Sequence, residues 1–128
     1  MIDPLSAWTS TELDKIGRTD ELEIQSRRRD GTLRTPVTIW VARVGDDLFV
    51  RSVNGRESGW FRGTQERHEG RIKAGGVEKD VTFEDADPSV NEDVDRAYRE
   101  KYRRYAASIV KTVLTPRARA ATLRLVPR

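Results

Sequence analysis

The chain has 128 residues, 36% hydrophobic and 35% charged, with a net charge of +3. That length holds one domain (residues 1–128) and one modest core, so part of the apolar surface is expected to lie against a second subunit. The lack of cysteine excludes disulfides, cysteine nucleophiles and thiolate metal sites, and a single histidine leaves too few nitrogen ligands for zinc.

No stretch approaches the roughly 20 apolar residues of a membrane span. The start, MIDPLSAWTSTELDKIG, has neither the basic residues nor the apolar run of a signal peptide, so the expectation is a soluble cytoplasmic protein. The charge is blocked along the chain: −4 over residues 1–26, +5 over 27–79, −7 over 80–95 and +9 over 96–128. Arginine outnumbers lysine 19 to 5, and arginine is the better bidentate grip on phosphate or carboxylate.

In chain order, Thr9 and Glu12 predict a capping box, Trp8 and Leu13 a hydrophobic staple across it, and Gly17 the position just past the helix end. ELEIQS alternates, with Leu22 and Ile24 on one face and Glu21, Glu23 and Gln25 on the other, which predicts a half-buried strand. Asp30-Gly31 is the strongest hairpin signal. PVTIWVARV is apolar on both faces, with Val37, Ile39 and Val41 opposite Trp40, Ala42 and Val44. It reads as one barrel-wall strand backed by a helix or a second subunit.

Gly45-Asp46-Asp47 turns that strand into LFVRSV, and Ser58 caps a short helix over SGWFRGTQERHEG. RIKAGG and VEKDVTFED pair through Gly75-Gly76, with Val81 and Phe83 facing one way. Asp87-Pro88-Ser89 opens the longest helix, with Ser89 and Glu92 as a second capping box and Val90, Val94, Tyr98, Tyr102 and Tyr105 along one face. AASIVKTVL continues as helix up to Pro116, and ATLRLVP closes the chain as a strand. The fold class is α+β, a small antiparallel barrel with flanking helices.

The charges of the long helix explain themselves. Acids early and bases late suit the helix dipole, and Glu92–Arg96, Asp95–Arg99 and Glu100–Arg104 are spaced as i,i+4 pairs. The tail arginines Arg117, Arg119, Arg124 and Arg128 are not accounted for by this pattern. A single-stranded nucleic-acid binder interleaves exposed aromatics with its bases, whereas here the tyrosines share one helical stripe. His68 lies near the end of the short helix without a dyad partner and reads as a capping or surface residue.

VRSVNGRESGWFR admits two readings. In one, Ser52 points with the apolar set, Ser58 starts a helix whose first N–H groups are free, and Arg51, Arg56 and Arg62 surround an anion. In the other, Asn54-Gly55 is a tight turn among solvated arginines and Trp60-Phe61 anchors the helix.

Leu22 to Glu84 resembles the FMN-binding split-barrel superfamily, which includes pyridoxamine-phosphate-oxidase-like and deazaflavin-dependent nitroreductase-like proteins. The residues that carry the resemblance are Arg28, Gly31, Arg34 and Pro36, then Gly45-Asp46 through Phe49, Val50 and Ser52, then Trp60-Phe61-Arg62. More narrowly, TELDKIG, PVTIWVARVGDDLFVRS, GGVEKDVTFE and AATLRLVPR together resemble a bacterial domain-of-unknown-function family within that superfamily. Gly63 departs from the usual Asn, and Gly59 from a frequent Pro.

The resemblance implies a split barrel and a homodimer, with FMN or the deazaflavin coenzyme held in a dimer cleft. It places Arg34, Arg51, Ser52, Arg56, Ser58 and Arg62 on the phosphate side, and Trp40 and Trp60 near the ring. Catalytic side chains are not implied, since such a cofactor brings its own redox chemistry. The alternative is a non-redox split-barrel protein that holds another small anionic ligand, or none.

Overall fold

The computed structural model describes residues 7–128, and the reading of the first six residues lies outside it. Helix α1 (Ser10–Arg18) begins at the predicted capping box: the Glu12 N–H donates to Thr9 Oγ1 at 3.1 Å, and the Thr9 N–H donates to Glu12 Oε1 at 2.9 Å. Gly17 lies inside the helix rather than past its end, which is capped instead by Thr19 in extended backbone. A Cβ on Gly17 would stand 3.4 Å from the Arg43 side chain, an ordinary van der Waals contact, so packing does not require glycine there.

The strands are β1 (Leu22–Ser26), β2 (Val37–Ile39), β3 (Val41–Val44), β4 (Asp47–Arg51), β5 (Glu69–Ala74), β6 (Val77–Asp85) and β7 (Thr122–Pro127). They form one sheet in the order β2-β1-β5-β6-β7-β4-β3, with every pairing antiparallel. The two outermost strands, β2 and β3, are consecutive in sequence and joined through Trp40 alone. The sheet therefore curls back on itself into a nearly closed barrel, split at that residue.

PVTIWVARV is thus two strands, not one. The predicted faces nevertheless hold: Val37, Ile39 and Val41 join the inner cluster, while Trp40, Ala42 and Val44 join the outer one. The strand breaks because its partner changes, from β1 (Ile24↔Val37) to β4 (Val41↔Val50). The break is plugged by Tyr102, whose hydroxyl accepts from the Val41 N–H at 3.1 Å and donates to the Asp20 carbonyl at 2.6 Å.

Two apolar clusters use the two sheet faces. Leu22, Ile24, Leu48, Val50, Ile72, Val81, Phe83, Leu123 and Leu125 fill the inner one, with Leu13 and Ile16 from α1 and Phe61 from α2 (Gly59–Arg67). Outside, Val94 and Tyr98 of α3 (Asn91–Lys101) and its C-cap Tyr102 cover Ala42 and Phe49. The cover that PVTIWVARV was expected to need comes from this helix.

Three local expectations change. The Ser89–Glu92 capping box is not made: Asp87 accepts from the Ser89 N–H at 2.8 Å and caps a 3₁₀ turn (Pro88–Val90) that leads into α3. The i,i+4 pairs give way to longer-range ones, since Arg104 pairs with Asp20 and Asp95 with Arg51 and Arg119, while Arg96 takes Asp93. AASIVKTVL is a short α4 (Ala107–Val110) followed by a 3₁₀ turn, and Pro116 opens a further helix, α5 (Pro116–Arg119), capped by Thr115. Three of the unexplained tail arginines find partners: Arg119 with Asp95, Arg124 with Asp47 and Glu84, and Arg128 with Glu69. Among the described residues, no helix is long and apolar enough to cross a membrane.

Candidate functional site

Helix α2 starts where Ser58 caps it, its Oγ accepting from the Phe61 N–H at 3.4 Å and from the Ser52 hydroxyl at 2.9 Å. Ser52 is buried, so this serine pair forms the foundation of the helix start and not an open binding surface. The first N–H groups of α2, at Gly59 and Trp60, have no intrahelical acceptor and carry the positive end of the helix dipole. At the other end His68 takes a left-handed conformation (φ 56°) as the C-cap, in keeping with the capping role read for it.

Beside that helix start lies a cleft of about 260 Å³ lined by Ile24, Ser26, Arg28, Arg34, Thr35, Val37, Gly59 and Trp60. A second hollow of about 280 Å³, lined by Arg34, Gly59, Arg62, Gly63 and Glu66, shares Arg34 and Gly59 with it. Together they make one groove between β1, the hairpin after it and α2. A Cβ built on Gly59 meets nothing within 4 Å, so this glycine looks onto open space. Gly63 differs: a Cβ there would stand 2.5 Å from Ser26 Oγ and 3.3 Å from Arg34, so only glycine lets α2 approach β1 this closely.

Arg34 is the fixed cation of the groove. Its guanidinium donates to the Arg27 carbonyl at 3.1 Å and to Ser26 Oγ at 3.4 Å, and pairs with Glu66. The hydrogen bond from Arg34 holds the Glu66 carboxyl below the usual carboxylate range, against a smaller opposing effect of burial. Arg28 is tied to the Leu33 carbonyl at 2.9 Å and to Thr32, and has no ion pair among the described residues. Arg62 is exposed and likewise has none. The groove thus holds three guanidiniums against one carboxylate.

Of the sequence-predicted site residues, the fold brings Arg34, Trp60 and Arg62 together around Gly59. It takes Arg51 elsewhere. Arg51 is buried beneath α3, where it pairs with Asp95 and donates to Thr122 Oγ1 (2.9 Å), the Val113 carbonyl (3.0 Å) and Asn91 (3.2 Å), so every N–H has an acceptor. Trp40 stacks on Tyr102 at 3.8 Å in the outer cluster, away from the groove. Arg56 turns to the far flank of α2, donating to the Ala120 carbonyl at 3.1 Å with its guanidinium 5.0 Å from the Phe61 ring.

Sequence reasoning left Ser26, Thr35 and Arg28 off the list of ligand-binding candidates. Ser26 had a readable signal, because it continues the inward set of Leu22 and Ile24 and is a polar residue on an apolar face. The titratable groups lining the groove are arginines and an ionised Glu66, so no side chain there is poised to exchange protons near neutral pH. Among the described residues no cluster of three His, Cys, Asp or Glu could hold a metal ion. The groove sets three guanidiniums and a helix start beside an apolar wall of Ile24, Val37 and Trp60.

Comparison with known proteins supports the fold. A family model described as "Uncharacterized protein conserved in bacteria (DUF2255)" matches residues 12–125. No curated protein matches the sequence. Among solved structures, a conserved hypothetical protein from Mycobacterium tuberculosis aligns with a TM-score of 0.64 at 14% identity, over 100% of this chain and 86% of that one. A protein described as an F420 reductase aligns at 0.56 and 15%, over 91% and 90%. An FAD-binding protein from Mesorhizobium loti aligns at 0.56 and 13%, over 95% and 91%. These likenesses establish the fold, an antiparallel split barrel with flanking helices.

Proposed function

We propose, from the premise that this chain belongs to the DUF2255 family of bacterial proteins, that its groove holds the phosphate end of a flavin-type cofactor. The cofactor is FMN or a deazaflavin, and the protein serves as an oxidoreductase. The observation that carries this reading is the groove itself. Arg28, Arg34 and Arg62 surround a helix start with free N–H groups, which suits phosphate, and Trp60, Ile24 and Val37 offer a flat apolar wall. The open space over Gly59 is a cradle that a side chain there would fill. Two of the fold relatives are described as an F420 reductase and an FAD-binding protein, which agrees with this reading.

In such a complex the cofactor supplies hydride acceptance and donation. The chain contributes binding and orientation: Arg62 and the α2 N–H groups hold phosphate, Arg34 is kept rigid by Glu66, and Trp60 borders the ring. Each hollow, at about 260–280 Å³, lies just under the usual range of roughly 300–1,000 Å³ for ligand pockets. A second copy of the chain closing the open side would complete the cleft, which is the place of the expected homodimer.

Titration with FMN and with the deazaflavin, followed by visible spectrum and tryptophan fluorescence, tests the reading. Arg62→Ala should weaken cofactor binding about tenfold or more, as expected for loss of one charge-assisted hydrogen bond, without moving the melting temperature. Binding of neither cofactor at tens of micromolar would reject it. Binding of inorganic pyrophosphate without either flavin would favour the non-redox alternative.

A further inference from the structure

A different surface carries a separate hollow. A groove of about 430 Å³ runs between the end of α3 and the α4 segment, lined by Arg99, Arg103, Tyr105, Ala107, Val110, Lys111 and Leu114. Most of the arginines pair with carboxylates, but Arg99, Arg103 and Lys111 have no ion pair among the described residues. Arg99 lies in the last turn of α3 and Arg103 in the turn that follows it, and both line the groove. The helix also offers Glu100, but no cation pairs with it among the described residues.

Between these cations the groove is apolar. Val110, Leu114 and the Tyr105 ring belong to or pack on the outer cluster. Tyr105 is held in place through its hydroxyl, which donates to Asp20 at 3.2 Å, and through its contact with Trp40 at 5.2 Å. The same short helix carries Ile109, one of two large apolar side chains that are exposed among the described residues, at 48%. Unneutralised cations around an apolar trough complement one kind of small molecule, an anionic head on an apolar body. The volume fits a small ligand and not a folded partner.

We propose that this α3–α4 groove binds small amphiphilic carboxylates, with Arg99, Arg103 and Lys111 on the head group and Val110, Leu114 and Tyr105 along the body. The site is separate from the α2 groove and shares none of its lining residues.

Octanoate is a suitable probe, read by amide and methyl NMR shifts on the full chain. It should bind with a dissociation constant in the low-millimolar range or tighter, shifting Ala107, Val110 and Leu114. The neutral 1-octanol should bind at least tenfold more weakly. Arg99→Ala with Arg103→Ala, both exposed and unpaired, should reduce octanoate affinity at least tenfold while the melting temperature and any flavin titration stay unchanged. Lys111→Glu should act in the same direction. The proposal fails if octanoate leaves the groove resonances unmoved, if octanol binds equally well, or if the double variant keeps full affinity. It also fails if an acidic peptide saturates these residues where octanoate does not, since the face would then be a protein-docking surface. Loss of flavin binding in Arg62→Ala leaves this outcome untouched, so the two readings stand or fall separately.

Discussion

Removing the Arg51 guanidinium would leave Asp95 ionised inside the protein with Arg119 as its remaining partner. Arg51 and Asp95 are 0% and 2% exposed, whereas Arg119 is partly in solvent. Breaking a buried pair from one side typically costs about 3–5 kcal/mol. Arg51→Met should therefore lower the urea midpoint by that equivalent at unchanged m-value, and a loss under about 1 kcal/mol would show that Asp95 is satisfied without it. From sequence alone, Arg51 looks like one more arginine near a possible phosphate site. Its fate was not legible because Asp95, Asn91, Val113 and Thr122 come to it from 40 to 71 residues away. Burial raises the Asp95 pKa, but the hydrogen bonds and charges of Arg51 and Arg119 outweigh it and hold the carboxyl below its ordinary value. This stability is present above the unfolded pKa of about 3.9 and is lost as pH falls through the lower folded value. Asp95→Asn should accordingly flatten the acid limb of the stability curve.

At the scale of elements, α2 makes two opposite predictions within one turn of helix. Gly63→Ala places a methyl 2.5 Å from Ser26 Oγ, forcing α2 away from β1. Overpacking of this kind costs about 1–3 kcal/mol. A Cβ at Gly59 meets no atom within 4 Å, so Gly59→Val should leave the melting temperature within a degree or two while narrowing the groove and abolishing cofactor binding. If Gly59→Val bound flavin as well as the parent, the groove would not be the site. The start of α2 was readable because capping is local: Ser58, like Thr9 and Glu12, acts within three residues. The Gly75-Gly76 hairpin was readable for the same reason, with both glycines at positive φ. The split at Trp40 was hidden, since inward and outward residues alternate without a fault across the break and only the change of partner strand marks it. The Ser89 cap was misplaced because Asp87 competes for the same N–H group and wins.

For the molecule as a whole, the outer layer that closes the barrel also sets its alkaline behaviour. Lys101 donates to the Val41 carbonyl at 2.8 Å beside the split. Burial pushes its pKa down to about 8, partly opposed by the charge of Asp20 and aided by that of Arg104. From pH 8 up to the unfolded lysine value near 10.4, the unfolded chain holds this proton and the folded one does not, so stability rises with pH. Tyr98 and Tyr102 act the other way. Burial raises both phenols, so above roughly pH 10 the unfolded chain loses their protons first and stability falls. Urea midpoints measured from pH 7 to 11 should therefore climb above pH 8 and turn over near 10. Lys101→Met should remove most of the climb. Tyr98→Phe should soften the fall and also stabilise at neutral pH by about 1 kcal/mol, because the Tyr98 hydroxyl is buried with no hydrogen-bond partner among the described residues. A flat midpoint between pH 8 and 10 in the parent, or an unaltered climb in Lys101→Met, would mean that the amine reaches water freely and that the seam between β2 and β3 is looser than its hydrogen bonds imply.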